Sequence, residues 1–143
     1  MKRLAQILIT GAIVAAFVVS ATAQGKKGKS RAALTKHIMA GLVQTNCAAA
    51  GKALKETPAD DKAWAALATN AALLNEASYL VMDDGRCPDA GWAKAAKSLR
   101  EGSAALLAKI EAKDAVGAQE SFKAVTQACA ACHKDHRPQK AGS

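Results

Sequence analysis

The chain has 143 residues, of which half are hydrophobic but only 3% are aromatic, and its formal net charge is +8. This length suits a single domain with one core. The basic residues are scattered and are not interleaved with aromatic ones, which argues against a nucleic acid-binding protein. The positive charge fits docking on acidic partner proteins or anionic membrane surfaces, and it equally fits a plain solvated helical surface.

The N-terminus predicts export. Residues 1–3 are cationic, residues 4–19 are mainly apolar, and Ala21-Thr22-Ala23 supplies an A-x-A cleavage site. We expect a cleaved signal peptide, residues 1–23, a periplasmic location and no stable membrane insertion after cleavage. A retained anchor is the alternative, because the apolar stretch is near the shortest length that spans a bilayer. Cleavage leaves 120 residues with a charge of +6, since Lys2 and Arg3 are removed.

The mature chain is expected to begin with a flexible basic tail, residues 24–30, followed by one helical domain, residues 31–140. Apolar residues recur at helical spacing and do not alternate as in strands, so the sequence predicts an all-α protein. The four expected helices cover about 30–56, then run from a Thr57 cap to about 82, from about Asp89, and from an Asp114 cap. Short connections predict an antiparallel up-down four-helix bundle.

The first predicted helix contains weak helix formers. Gly41, Thr45 and Asn46 lie in its middle, and Thr45 or Asn46 could cap a new start at Cys47. A break between Gly41 and Asn46 is therefore an open alternative to one continuous helix.

Residues 129–137 read CAACHKDHR. Two thiols one helical turn apart, Cys129 and Cys132, can each bond one vinyl group of a haem, while the imidazole of His133 binds the iron. An alanine-rich core favours this, because a flat cofactor would fill volume that small side chains leave. A zinc site could use both cysteines and either His133 or His136, but no second tight Cys/His pair supplies a fourth ligand. A redox dithiol expects the motif to open a helix beside a sheet, a setting that this sequence lacks.

A CxxCH motif in the last helix, followed four residues later by a basic residue, resembles the cytochrome c prime superfamily of four-helix-bundle, class II c-type cytochromes. Cys129, Cys132, His133 and Arg137 match that motif one for one. The resemblance implies one covalent haem c on the two cysteines, with His133 as the proximal iron ligand. It also implies that Arg137 lies near His133 and disfavours imidazolate character there. His136 is expected to make a packing or haem-propionate contact.

The resemblance also concerns the first helix, which in this superfamily carries either a methionine ligand or an apolar blocker at the sixth iron site. Met39 is the candidate distal ligand, because it lies near the edge of the apolar helix face. Thr35 stands where an apolar blocker would be expected, and His37 points away from that face. An arginine resembling Arg31 often precedes the site, which implies a place near the haem for Arg31.

Cys47 and Cys87 remain, and in an oxidising compartment a leftover pair more often bonds than stays free. Cys87 falls in the second loop, at the bundle end near the start of the first helix. In a continuous helix, Cys47 would lie roughly 20 Å from that start, beyond disulfide reach. A Cys47–Cys87 disulfide is therefore expected only if the first helix breaks.

The sequence thus predicts an exported mono-haem electron carrier that serves redox partner proteins and is not an enzyme. Iron held by His133 and Met39 suits electron transfer, whereas iron without Met39 would predict a protein that binds NO or CO. A zinc-stabilised helical interaction module is a third interpretation. The resemblance also admits a homodimer through the first two helices.

Overall fold

The computed structural model describes residues 26–137, and in this range the chain is helical, without strands. Its elements are α1 (Thr35–Ile38), a π-helical stretch (Met39–Gln44), α2 (Thr45–Ala53), α3 (Asp61–Leu80), α4 (Ala90–Glu111) and α5 (Ala115–His136). We call residues 35–53 the first helix. α3 packs against α2 and α4, and α4 packs against α5. The predicted all-α helical bundle is confirmed, while the predicted signal peptide, residues 1–23, lies outside the described residues.

The first helix is continuous from Thr35 to Ala53, which decides between the two alternatives that the sequence left open: there is no break between Gly41 and Asn46. Met39 (φ −62°, ψ −47°) and Thr45 (φ −61°, ψ −51°) both have right-handed helical dihedrals. The weak helix formers produce a wider π-helical stretch instead, which accommodates an extra residue per turn. Thr45 Oγ1 donates to the carbonyl of Ala40 at 3.1 Å, and Asn46 Nδ2 donates to the carbonyl of Leu42 at 2.7 Å. These side chains bond back along the helix and do not cap a new start.

An aspartate begins each of the three long helices. Asp60 accepts a hydrogen bond from Ala63 N at 2.7 Å, and Asp89 and Asp114 make the equivalent bonds at the starts of α4 and α5. These carboxylates satisfy backbone donors and lie at the positive end of the helix dipole. The sequence correctly predicted that helices begin at Asp89 and Asp114. The predicted cap at Thr57 is wrong, because the chain stays extended through Asp60 (φ −149°, ψ 173°), which is the residue that caps α3.

The core is built mainly from leucine, valine and alanine, and its fully buried members include Leu67, Leu74, Leu106 and Val125. At one point of the core, α4 and α5 approach each other closely and no bulky side chain lies between them. A Cβ added to the buried Gly102 would come within 3.3 Å of Val125 N, so α4 and α5 pack nearly backbone to backbone there. No helix within residues 26–137 has the length and apolarity needed to span a bilayer.

The segment before the first helix is an ordered strap, residues 26–34, although the sequence predicted a flexible tail through Ser30. The carbonyl of Lys26 accepts hydrogen bonds from Thr35 N at 3.0 Å and Thr35 Oγ1 at 3.1 Å. Lys27 and Leu34 form an isolated antiparallel bridge. The buried hydroxyl of Thr35 therefore ties the strap to the start of the first helix.

Asp84, in the loop between α3 and α4, holds the strap from the other side. One carboxylate oxygen accepts from Ser30 N at 2.8 Å and Ser30 Oγ at 2.9 Å, and the other accepts from Arg31 N at 2.9 Å. The side chain of Arg86 is 1% exposed, lies 3.6 Å from Asp84 Oδ2 and donates to the carbonyl of Ala33 at 2.9 Å. Since a buried charge needs a partner, this pair fixes the loop and the strap together.

We expect the Asp84→Ala protein to unfold several degrees below the wild type, because it loses the acceptors for Ser30 and Arg31. Its strap amides should also exchange faster with solvent. Thermal circular dichroism and hydrogen exchange read by mass spectrometry test both points. Asp83→Ala is the matched control, because Asp83 is the exposed neighbour, and it should behave like the wild type.

The same pair of proteins should differ less in acid. The hydrogen bond from Arg31 N, together with those from Ser30, lowers the pKa of Asp84 from 3.8 to about 2. Its stabilising effect is thus complete above about pH 4 and is lost as the pH falls towards about 2. The gap in unfolding temperature between wild type and Asp84→Ala should shrink over that range. A gap that stays constant contradicts the role assigned to the carboxylate.

Candidate functional site

An apolar pocket lies between the first helix and α5, against α4. Small side chains at three wall positions, Ala95, Ala96 and Ala128, leave this space unfilled. The complete wall consists of Met39, Val43, Val81, Trp92, Ala95, Ala96, Leu99, Ala128, Cys129, Cys132 and His133. A concave site with a mainly apolar lining is typical of small-molecule and cofactor sites.

The first helix and α5 approach each other closely at one end of the pocket. Near the end of α2, Gln119 Nε2 donates to the carbonyl of Leu54 at 2.8 Å. Close by, a Cβ added to Gly51 would come within 3.2 Å of the Phe122 ring, so the helices approach closely there. Elsewhere the main packing partner of the first helix is α3. The two helices therefore leave room between Met39 and the cysteine motif.

The motif residues predicted from the sequence line this pocket on the α5 side. Cys129 and Cys132 are half-buried, and His133 lies at the exposed rim. Burial raises the pKa of Cys132 to about 11, so its thiol remains protonated near neutral pH. Burial and then the charge of Arg137 lower the pKa of His133. The imidazole is thus kept neutral, the form that binds metals.

Met39 lies on the opposite wall, at the first position of the π-helical stretch. Its side chain is partly buried and packs against the core. The thioether is therefore presented to the same space as the thiols and the imidazole. π-helical turns often occur at functional sites.

Trp92 forms part of the wall and is held from two sides. Its indole Nε1 donates to the carbonyl of Val81 at 2.9 Å. The ring of His136 meets the indole edge-on, with centroids 5.3 Å apart. His136 also bonds to Asp89, with Nε2 3.0 Å from Oδ2, and its Nδ1 lies 3.1 Å from the carbonyl of Cys132. This latch joins the end of α5 to the start of α4, which fits the packing role predicted for His136.

Three other candidates lie apart from the pocket wall. The backbone of Arg31 binds Asp84 while its side chain is exposed. Thr35 is fully buried and binds the strap. His37 is exposed, and its Nδ1 accepts from Leu34 N at 3.3 Å. These positions agree with a solvated His37, and they give Arg31 and Thr35 structural roles that the sequence did not predict.

The structure does not join Cys47 to Cys87, and both thiols are free. Cys87 Sγ donates to the carbonyl of Asp89 at 3.3 Å. The neighbour that most affects Cys47 is instead Cys129, which lowers the pKa of the Cys47 thiol. Because the first helix does not fold back, the condition on which the predicted disulfide rested is not met.

Among residues 26–137, no three His, Cys, Asp or Glu side chains come together as a metal-binding group. The zinc interpretation therefore gains no ligand set in this part of the chain. In comparisons with known proteins, no family model, curated protein or solved structure matches the chain.

The latch between His136 and Asp89 predicts a pH dependence. The hydrogen bond to Asp89 raises the pKa of His136 above 6.5. The latch thus stabilises the fold fully below about pH 6.5, and its contribution is lost as the pH rises through the raised pKa of His136. Asp89→Asn should weaken this fall in thermal stability between about pH 6 and 8, because it removes the charge but keeps an acceptor for Trp92 N.

Asp60→Asn is the matched control, because Asp60 caps α3 in the same way but has no histidine beside it. That protein should keep the wild-type dependence on pH. Thermal circular dichroism across this pH range makes the comparison. Identical profiles for the wild type and Asp89→Asn would show that no such ion pair contributes to stability.

Proposed function

We propose that this protein is an exported mono-haem c-type cytochrome that carries electrons. The observation that carries the proposal is that Met39, Cys129, Cys132 and His133 all line one apolar pocket. Such a donor set fits a covalently held haem with two protein ligands, and a bound haem iron would supply a one-electron redox couple. Two half-buried thiols one turn apart on α5 would hold it, and the space left by the wall alanines would receive it.

The axial groups are suited to their task in different ways. His133 is kept neutral by burial and by Arg137, so its nitrogen lone pair is free to bind iron. Arg137 also keeps the ring from acquiring imidazolate character, because its positive charge lies beside His133. Met39 offers a soft sulfur from the opposite wall. A His/Met pair favours electron transfer because both oxidation states keep the same ligands.

The apolar wall restricts water around the redox centre. Trp92 is 3% exposed and Leu99 is 6% exposed, and both face the pocket. A low-dielectric surrounding of this kind tunes the redox potential of a metal centre. Export would follow from residues 1–23, and the charge of +6 on the mature chain would favour acidic redox partners.

The second candidate is a protein that binds NO or CO at a vacant sixth site. It rests on the same apolar wall, since Met39 and Val43 are the wall residues from the first helix and of these two Met39 alone carries a sulfur. Whether Met39 binds iron separates the two functions.

Replacing Met39 with alanine tests the assignment. The full-length protein, produced with haem-attachment machinery, should carry covalent haem and give a low-spin spectrum in both oxidation states. Met39→Ala should become high-spin and should then bind CO rapidly, because it loses the second axial ligand. Absorbance spectra with and without CO make the comparison.

Met82→Ala is the control, because Met82 packs against the core but does not line the pocket. It should keep the wild-type spectrum. An unchanged spectrum in Met39→Ala would contradict ligation by Met39, and a wild type that is already high-spin would favour the gas-binding candidate. Absence of covalent haem in the wild type would overturn both functions.

A larger side chain in the pocket should hinder the attachment of haem. Ala96 is 5% exposed and lines the wall, so Ala96→Leu would occupy space proposed for the cofactor. We expect a several-fold lower haem content, measured by haem absorbance per chain, and a folding cost of about 1–3 kcal/mol. Ala105→Leu, at an exposed position on α4, should load normally. Normal loading of Ala96→Leu would contradict the proposed position of the cofactor.

A further inference from the structure

A third thiol lies beside the two of the CxxCH motif. Cys47 follows Met39 and Val43 at four-residue steps, so the three occupy one face of the first helix. Met39 and Val43 line the pocket, while Cys47 is half-buried one turn further along. Val43 lines the pocket together with Cys129, and Gly51, one turn beyond Cys47, packs closely on Phe122 of α5. This face of the first helix therefore brings Cys47 beside Cys129. The proposed function has no role for this residue.

The local chemistry makes Cys47 the more reactive member of the pair. The hydrogen bond from Cys129 stabilises the Cys47 thiolate and lowers its pKa to about 7. A substantial fraction is then ionised near neutral pH, and the thiolate is the form that attacks disulfides. The same contact and burial raise the pKa of Cys129.

The other possible pairings are less favourable. Cys87 already donates to the carbonyl of Asp89, on the loop between α3 and α4. Cys129 and Cys132 lie one turn apart inside α5, which extends to His136. Two cysteines within a regular helix would have to distort it to reach disulfide geometry. Cys47 approaches Cys129 from a separate helix, so a bond between them would not distort the turn of α5 that carries the motif.

We propose that Cys47 and Cys129 form a reversible disulfide in the haem-free chain, and that this bond withholds Cys129 from haem until a thiol reductant opens it. The disulfide itself is independent of the proposed function, whereas its effect on haem loading rests on that function. Cys47 would thus act as a redox-controlled protecting group for one attachment thiol.

Forming this bond oxidises two thiols of the protein, and the oxidant is a small-molecule or protein disulfide that is itself reduced. The Cys47 thiolate attacks the oxidant and forms a mixed disulfide, releasing one thiol of the oxidant. The Cys129 sulfur then displaces the second, so two S–H groups of the protein are lost, one S–S bond forms and two reduced thiols leave. A dithiol reductant reverses the sequence and returns both protons.

Disulfide mapping tests the bond directly. The full haem-free chain is equilibrated with oxidised and reduced glutathione, its remaining thiols are alkylated, and it is digested with trypsin. Cleavage at the lysines and arginines places Cys47 in peptide 37–52, Cys87 in peptide 87–94, and Cys129 with Cys132 in peptide 124–134. We expect peptide 37–52 linked to 124–134 to be the main disulfide species, and peptide 87–94 to be alkylated.

Single variants identify the sulfur. Cys132→Ser should keep the link and Cys129→Ser should lose it, while Cys87→Ser is the control that leaves it unchanged. A main product linking Cys129 to Cys132, or Cys47 to Cys87, would overturn the proposal. So would a haem-free chain without a helical circular dichroism spectrum, because the pair is brought together only by the folded bundle.

Haem loading tests the consequence. In oxidising buffer, Cys47→Ser should acquire covalent haem several-fold faster than the wild type, and added dithiothreitol should abolish the difference. Equal rates in oxidising buffer would overturn the protecting role even if the disulfide is found. Failure of every variant to load under reducing conditions would instead overturn the proposed function and leave the mapped disulfide standing.

Discussion

The small side chains at the packing surfaces between the first helix, α4 and α5 are the constraint on which the rest of the structure depends. Where the two helices meet, Gly51 and Phe122 allow close approach, and Gln119 bonds to the backbone of Leu54. Further along, the alanines on α4 and α5 are too small to fill the pocket, and the first helix packs mainly against α3. The apolar pocket between these three helices is the place that we propose for the haem.

The strap and its loop fix the wall that carries Met39. Thr35 begins the first helix four residues before Met39, and its hydroxyl holds the strap that Asp84 binds at Ser30 and Arg31. The buried Arg86 stabilises this arrangement through its contacts with Asp84 and the carbonyl of Ala33. A loop between α3 and α4 therefore helps to set the distance between the proposed iron ligands. On the other side of the pocket, the latch of His136 on Asp89 positions the end of α5 in a similar manner.

Local sequence rules predicted those features that depend on neighbours in the chain. Helical spacing predicted the helices and the start of one near Asp89, and Asp114 was recognisable as a cap because a cap acts within one turn. The wall residues Cys129, Cys132 and His133 followed from their spacing alone. The strap was missed because its bonds join Ser30 and Arg31 to Asp84, more than fifty residues away. The proximity of Cys47 to Cys129 was missed for the same reason, since nothing near either cysteine in the sequence encodes it.

The central claim is that one apolar pocket holds a haem iron between α5 and the first helix. Iron K-edge X-ray absorption on the oxidised, full-length protein measures the atoms bound to the metal most directly. The account predicts a sulfur atom, from Met39, bound together with porphyrin and imidazole nitrogens. Nitrogen ligands without sulfur would contradict the assignment of Met39 and with it the electron-carrier function. A metal-free protein after production with haem-attachment machinery would contradict the haem site as a whole.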